Sequence, residues 1–370
     1  MDVLPLNFYS LRLSGVWYEE NEKLGFARKM YRFFVVASVF YFAITLAAKV
    51  VLEKNDIDDL TESLFLAMAF WNICFKIVNF SCHRDNVIAI ARELKISHCQ
   101  ANNDEEAKIL EKYVKRSKWL FVFLMCATIS SAATFFYAFV SKAINSEHLP
   151  LKTYQFYDDS NLQVEYFTAL FQVIVTIYAV AIHSSLETMP AGLFMVITGQ
   201  LELNAYRIKK LSRGDVLGMK DCVIHNVLIR RVKKKVESIV IGVVIPFVFY
   251  ATANICTSIF QASKYNLFSS DFTWICVFSL GILQQVLIYC WFGNQLLWKS
   301  QEIPNAIYES DWIFMNPPER KYLFILMVCS RKGLSVSCHG LCELNLKTFL
   351  WIIKMSYTTV SLLHQVNARL

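Results

Sequence analysis

The sequence predicts an all-α protein, a seven-transmembrane helical bundle whose amino terminus lies in the cytosol. Composition, long uncharged runs and the alternation of basic residues between loops all indicate this class. Hydrophobic residues make up 55% of the 370 residues and charged residues only 18%, whereas about 25% charge is usual in soluble domains. The segments Trp119–Ser141, Ser238–Ser263 and Phe272–Trp298 contain no Asp, Glu, Lys or Arg. Each exceeds the roughly 20 apolar residues with which a helix spans a bilayer.

The apolar runs place the seven spans of this single membrane domain. The predicted spans are Phe33–Leu52, Glu62–Cys82, Trp119–Val140, Val164–Ser185, Ser238–Ser263, Phe272–Gly293 and Leu346–Gln365. The fourth run is unusually long, because Glu187 is the only charged residue between Tyr166 and Leu201. As a helix it would extend about 54 Å, too long for one crossing and too short for two. We expect it to leave the membrane and kink near Pro190 and Gly192.

Lys and Arg indicate the orientation, because cytosolic flanks of membrane proteins carry an excess of these residues. The loop after span 4 ends in the basic cluster Arg230–Lys235, whereas the loop after span 1 holds Lys54 alone among acidic residues. Alternating loops agree throughout, so we predict a cytosolic amino terminus and an external carboxyl terminus. The same bias explains the basic cluster, which lacks interleaved aromatic residues or a recognised fold, and no nucleic-acid partner is predicted.

Motifs for catalysis or cofactor binding are missing from the sequence. It contains no Walker loop, dinucleotide glycine fingerprint, His-Glu-x-x-His or Gly-x-Ser-x-Gly, so we predict no enzyme and no cofactor. The Cys338–Cys342 stretch has one His and lacks a fourth zinc ligand. His183 and Glu187, four residues apart, are interpreted as a local helix pair and not as a metal site. Lys76, near the inner end of span 2, is expected to snorkel to the interface.

A G-protein-coupled receptor is an alternative for any seven-helix protein. Such a receptor has an external amino terminus, an Asp/Glu-Arg-Tyr motif after span 3 and an Asn-Pro-x-x-Tyr motif in span 7. Here span 3 is predicted to end outside, at Phe139-Val140, and Asn316-Pro317-Pro318 is predicted to lie in a loop. The inverted orientation argues against this alternative.

The last ninety or so residues carry motifs that resemble those of insect odorant receptors. These motifs are Tyr289–Asn294, Tyr308–Trp312, Glu319–Lys321, Ser330–Lys332, Phe349–Tyr357 and Ser361–Leu363. The resemblance implies an odour-gated cation channel of four subunits in the plasma membrane of olfactory sensory neurons, opened by a small volatile odorant. The chain resembles a tuning subunit that assembles with the longer odorant receptor coreceptor. A gustatory-type relative of the same channel superfamily is the second alternative.

The resemblance also implies that the last span is split into a cytosolic anchor piece and a pore-lining piece. The apolar run Tyr322–Ser330 is too short to cross a membrane, whereas Leu346–Gln365 is long enough. Residues 188–237 and 294–345 would then contribute a cytosolic anchor between subunits.

One face of the terminal span would line the pore. Residues at three- and four-residue steps share this face: Ser356, Val360, Leu363, His364 and Asn367. By resemblance, Val360 forms a hydrophobic constriction that closes the pore by dewetting, with Leu363 and His364 just external to it. A lipid or helix contact stripe is the alternative interpretation of this face. Lys354 is expected to face protein or cytosolic water.

The family places its ligand pocket in the outer half of the bundle, among spans 2 to 6. The corresponding aromatic and hydroxyl residues are Phe70, Trp71, Thr134, Tyr137, Phe167, Phe171, Tyr250, Trp274 and Phe278. Such a set suits a small, mostly apolar ligand, which ring packing binds and a hydrogen bond orients. Aromatic residues at helical spacing are more often packing residues, and that alternative stays open for each of them.

Overall fold

The computed structural model describes residues 4–18, 25–52, 57–144, 153–157, 162–262, 270–338 and 342–367. Within these residues the chain forms ten α-helices joined by short connections. They are α1 (Pro5–Leu13), α2 (Phe26–Leu52), α3 (Ile57–Cys82), α4 (Arg84–Glu93), α5 (Asp104–Ile144), α6 (Leu162–Lys209), α7 (Val216–Ala262), α8 (Ser270–Tyr308), α9 (Pro317–Ser330) and α10 (Leu346–Asn367). Single turns of 3₁₀ helix occur at Ser97–Cys99 and Trp312–Phe314.

A small antiparallel hairpin joins α9 to α10. Its strands are β1 (Ser337–Cys338) and β2 (Cys342–Glu343), with Ser337 opposite Glu343 and Cys338 opposite Cys342. The Cys338–Cys342 stretch is therefore the end of a hairpin, and the three residues between the strands lie outside the described part of the chain.

The helices are longer than the spans predicted from hydropathy. Spans 1 to 7 fall on α2, α3, α5, α6, α7, α8 and α10, apart from Ser263, which lies outside the described residues. Among the described residues, four stretches have the length and composition to cross a membrane: Phe26–Leu52, Gln163–Lys209, Val216–Ile255 and Ile275–Tyr308. The helix α6 has 48 residues and continues through Pro190, so this proline does not end it.

The start of α9 differs from the expectation. Asn316-Pro317-Pro318 was predicted to lie in a loop, but Asn316 is the N-cap residue and the two prolines occupy the first turn of α9. Proline is tolerated there because its missing N–H has no partner within the helix. The backbone N–H of Asn316 donates to Glu319 Oε2 over 2.8 Å, which closes the helix end. The helix that contains the apolar run Tyr322–Ser330 therefore begins at Pro317, five residues before that run.

The chain divides into two compact units. The amino-terminal unit comprises Pro5–Cys82 and Lys118–Met189, and the carboxyl-terminal unit comprises Met1–Leu4, His83–Ser117 and Pro190–Leu370. In the amino-terminal unit, α1 packs on α6 through Asn7, whose buried amide donates to Ser185 O (2.9 Å) and Thr188 Oγ1 (2.6 Å). This short helix was not predicted, and its docking satisfies a buried polar group that would otherwise cost free energy.

An aromatic pair between α7 and α8 forms part of the core of the carboxyl-terminal unit. Phe247 and Tyr289 are both buried, and their rings meet edge to face with centroids 5.6 Å apart. Such aromatic pairs add about 0.5–1.5 kcal/mol to the free energy of burial. Tyr289 opens the motif Tyr289–Asn294, so this part of the motif is a packing element.

Candidate ligand pocket, pore helix and anchor

Four of the predicted ligand-pocket residues lie in the described part of the amino-terminal unit. Phe70 is buried, and its ring contacts Phe42 of α2 with centroids 4.7 Å apart. The ring of Phe171 contacts Tyr41 edge to face at 6.0 Å. Trp71 and Phe167 are exposed, Phe167 by 73%. Phe70 and Phe171 therefore both pack against α2, where their partners Phe42 and Tyr41 are adjacent in sequence. The side chains of Trp71 and Phe167 face outward.

In the carboxyl-terminal unit, Tyr250 extends the aromatic cluster of the core. Its ring lies 5.9 Å from that of Phe247, and it is only partly buried. The remaining predicted residues lie on α5 and α8, and their side chains fall outside the described part of the structure: Thr134, Tyr137, Trp274 and Phe278. Their place in a pocket remains a prediction.

The predicted gate residues Val360, Leu363 and His364 lie on α10, which is helical from Leu346 to Asn367. Their side chains fall outside the described part of the structure, so their common face follows from helical spacing alone. Lys354 is exposed on the same helix.

The start of α10 is held against α8 by a contact that the sequence did not indicate. A Cβ atom at Gly293 would overlap the carbonyl oxygen of Leu344 and lie 3.0 Å from its Cβ. Leu344 is buried, two residues before α10 begins. The backbone N–H of Thr348 donates to Asn345 Oδ1 over 3.0 Å and so caps this end of the helix. Gly293, which belongs to the motif Tyr289–Asn294, thus permits the close approach of α8 to the segment just before α10.

A charged network joins α5, α6 and α8 in the carboxyl-terminal unit. Glu202 accepts from Lys112 Nζ (2.9 Å) and from the hydroxyl of Tyr113 (2.5 Å), and it lies 3.4 Å from Lys299 Nζ. Burial, followed by the hydrogen bond to this carboxylate, raises the pKa of Tyr113, so the phenol stays protonated and donates. The network borders a cavity of about 360 Å³ that Trp291 and Trp298 also line.

A second ionic contact fastens the connection between α4 and α5 to α6. Arg207 binds Glu106 through two bonds, Nη2 to Oε2 (2.7 Å) and Nε to Oε1 (3.1 Å). Its guanidinium also donates to the carbonyl oxygens of His98 (2.5 Å) and Gln100 (2.6 Å). Burial opposes ionisation of Glu106, but the bonds from Arg207 and from the backbone N–H of Asn102 outweigh it and lower the pKa of this carboxyl.

The prediction that Lys76 snorkels to the interface is wrong. Its side chain is 1% exposed and forms an ion pair with Glu187, whose side chain is 4% exposed. A buried charge carries a large desolvation penalty unless it is paired, so the ammonium group stays beside a carboxylate within the protein. Glu187 therefore has a partner on α3 in addition to its expected neighbour His183. The signal was present in the sequence, since each is a lone charge in a long apolar segment.

Together the helices and these contacts define a multi-pass helical membrane protein. A family model described as 7tm Odorant receptor matches residues 56–357. The chain belongs to this insect odorant receptor family, a family of odorant-gated channels.

Individual relatives are distant but cover most of the chain. Odorant receptor Or1 of Anopheles gambiae is 21% identical over 85% of this chain and 83% of its own length. Odorant receptor 94a of Drosophila melanogaster is 19% identical over 96% of this chain and 95% of its own length. The structure of olfactory receptor OR5 from Machilis hrabei in complex with eugenol superposes with a TM-score of 0.84 at 15% identity, covering 98% of this chain and 97% of the other. The chain therefore has the insect olfactory receptor fold.

Proposed function

We propose that this chain is the odorant-binding subunit of a heteromeric, ligand-gated, non-selective cation channel in the plasma membrane of olfactory sensory neurons. Its partner is the odorant receptor coreceptor, and the complex is a tetramer. The observation that carries the proposal is the family match over residues 56–357. The fold supports it, because 98% of the chain superposes on an insect olfactory receptor that was solved with eugenol bound.

The proposed ligand is a small, mostly apolar volatile molecule held in the outer half of the bundle. The proposed binding residues are the aromatic and hydroxyl side chains named above, except Trp71 and Phe167, whose side chains face outward. Phe171 and Tyr250 support this assignment, because each is partly buried and has an aromatic neighbour. Preassembled rings offer a ligand contact area without the cost of ordering flexible side chains.

The proposed pore is lined by α10, and the amino terminus is cytosolic. Val360 closes the pore by dewetting, because a narrow apolar ring excludes water and hydrated cations. Leu363 and His364 lie external to it. The exposed side chain of Lys354 faces cytosolic water, since a fixed positive charge at the constriction would repel cations.

The proposed anchor uses the apolar surface of α9. Phe324 is 62% exposed on this helix, and Ile325, Met327 and Val328 are exposed beside it. A cytosolic helix that shows this much apolar surface indicates a protein interface. Neighbouring subunits would cover it in the assembled channel.

Co-expression tests the proposal directly. Cells that carry this chain and a coreceptor should give odour-evoked cation currents across a panel of volatile ligands, and cells with either chain alone serve as controls. The currents should persist when the pipette contains GDP-β-S, which blocks G-protein signalling. Abolition by this nucleotide would support the G-protein-coupled alternative. Antibody access to tags at each terminus of intact cells tests the orientation, and an external amino-terminal tag would contradict it.

A further inference from the structure

A cavity of about 370 Å³ lies in the amino-terminal unit, beside the start of α2. Three arginines and four aromatic residues line it, together with a turn of backbone. The lining residues are Tyr9, Arg12, Leu13, Gly15, Trp17, Tyr18, Arg28, Tyr31 and Arg32. Three guanidinium groups around one cavity form a concentrated source of hydrogen-bond donors and positive charge.

The fold builds this cavity from the turn after α1. Gly15 has a φ of +74°, and a Cβ atom there would lie 3.2 Å from both Arg32 Cγ and Tyr31 Cε1. Arg32 Nε donates to the carbonyl oxygen of Gly15 over 2.7 Å, and the hydroxyl of Tyr31 donates to Leu13 O over 2.7 Å. The guanidinium of Arg32 also lies over the ring of Tyr18 at 4.1 Å. These contacts hold the turn against α2, so the cavity is formed before a ligand arrives.

The surroundings of the cavity match the surface of a membrane. Phe26, Phe33 and Phe34 of α2 are exposed next to its arginines, and α2 is one of the helices suited to crossing a bilayer. The positive-inside bias explains basic residues on this flank, but it does not require three of them to face one cavity. Arginine matches phosphate oxygens with two parallel N–H donors.

We propose that this cavity binds the phosphate-bearing headgroup of an anionic phospholipid. Anionic lipids concentrate in the cytosolic leaflet, and the assignment of the cavity to that leaflet rests on the proposed orientation of the chain. The ability of the three arginines to bind phosphate does not depend on the orientation.

Native mass spectrometry of the full chain in neutral detergent tests the site. The probes are phosphatidylinositol 4,5-bisphosphate, phosphatidylcholine and soluble inositol 1,4,5-trisphosphate. Arg28→Gln and Arg12→Gln should each weaken binding of the anionic lipid about tenfold, because each loses a charge-assisted hydrogen bond. Lys29→Gln is the matched control, since Lys29 is exposed and adjacent to Arg28 but does not line the cavity. It should retain the wild-type affinity.

Equal losses in Arg28→Gln and Lys29→Gln would overturn the proposal, because they would show a general charge effect. So would unchanged binding in both arginine variants. Inositol trisphosphate that binds as tightly as the lipid would assign the cavity to a free phosphate compound and overturn the lipid assignment. Thermal unfolding without lipid identifies variants that fold, and Arg28→Lys replaces Arg28→Gln if the latter does not. Symmetric detergent particles have no leaflets, so the result is independent of channel orientation and of odour response.

Discussion

Lys76 and Glu187 lie 111 residues apart in the sequence and form an ion pair inside the amino-terminal unit. The pair joins α3 to α6, next to the segment where Asn7 fastens α1 to Ser185 and Thr188. Three helices of this unit therefore meet around polar groups that are removed from water. These polar groups can be buried because each forms a hydrogen bond or ion pair with another.

Removing one partner of this pair should destabilise the protein strongly. Lys76→Met leaves an unpaired carboxylate inside the unit, for which we expect a loss of about 3–5 kcal/mol in the free energy of unfolding, visible as a lower thermal midpoint and reduced surface expression. The double variant Lys76→Met/Glu187→Leu removes both charges and should recover most of the loss. A double variant no more stable than the single one would contradict a direct pair.

The Glu106–Arg207 contact should make stability depend on pH. The folded-state pKa of Glu106 lies below its ordinary value of 4.5, so its stabilising contribution is complete above that value and is lost as the pH falls through the folded pKa. Thermal midpoints measured from pH 7 to pH 3.5 should fall less steeply for Glu106→Gln than for the wild type. Glu111→Gln is the control, because Glu111 is an exposed residue paired only within its helix with Lys115 in the described structure; it should follow the wild-type slope.

Gly293 and Gly281 offer a matched pair on α8. Gly293→Ala places a Cβ against Leu344 and should cost about 1–3 kcal/mol, the usual range for overpacking, and reduce the odour-evoked current per surface channel. Among the described residues, nothing lies within 4 Å of a Cβ at Gly281, so Gly281→Ala should be neutral or stabilise the helix by about 0.5–1 kcal/mol. The measurements are the thermal midpoint and the current normalised to surface expression. Equal effects would show that the contact with Leu344 is unimportant.

Val360 should control the resting current of the assembled channel. Val360→Ser makes the constriction wettable, so current without odorant should rise several-fold. Leu362→Ser is the control, because position 362 lies two residues further along α10 and hence on the opposite face. The measurement is whole-cell current before and after odorant in cells that express the coreceptor. A larger current without odorant in the Leu362 variant than in the Val360 variant would indicate that the opposite face of α10 lines the pore.

Several parts of the fold were predictable from local sequence. Uncharged runs of more than twenty residues gave the positions of the long helices, because hydrophobic length is a property of contiguous residues. Helix ends were less predictable. The first turn of α9 was mistaken for a loop because Asn316-Pro317-Pro318 is compatible with both, and the bond from Asn316 N to Glu319 decides between them. The helices α1 and α4 were not predicted, since each is short and is stabilised by tertiary packing.

By itself, the sequence determined that the chain is a multi-pass helical membrane protein and pointed to its family. Hydropathy, charge bias and short motifs are all properties of residues that are close together in the sequence. Only the tertiary structure decided that Lys76 is buried with Glu187, that Gly293 meets Leu344, and that Arg12, Arg28 and Arg32 surround one cavity. The physical reason is that each contact joins helices or turns separate in sequence. Their approach depends on how the side chains of a whole unit pack, which no local pattern records.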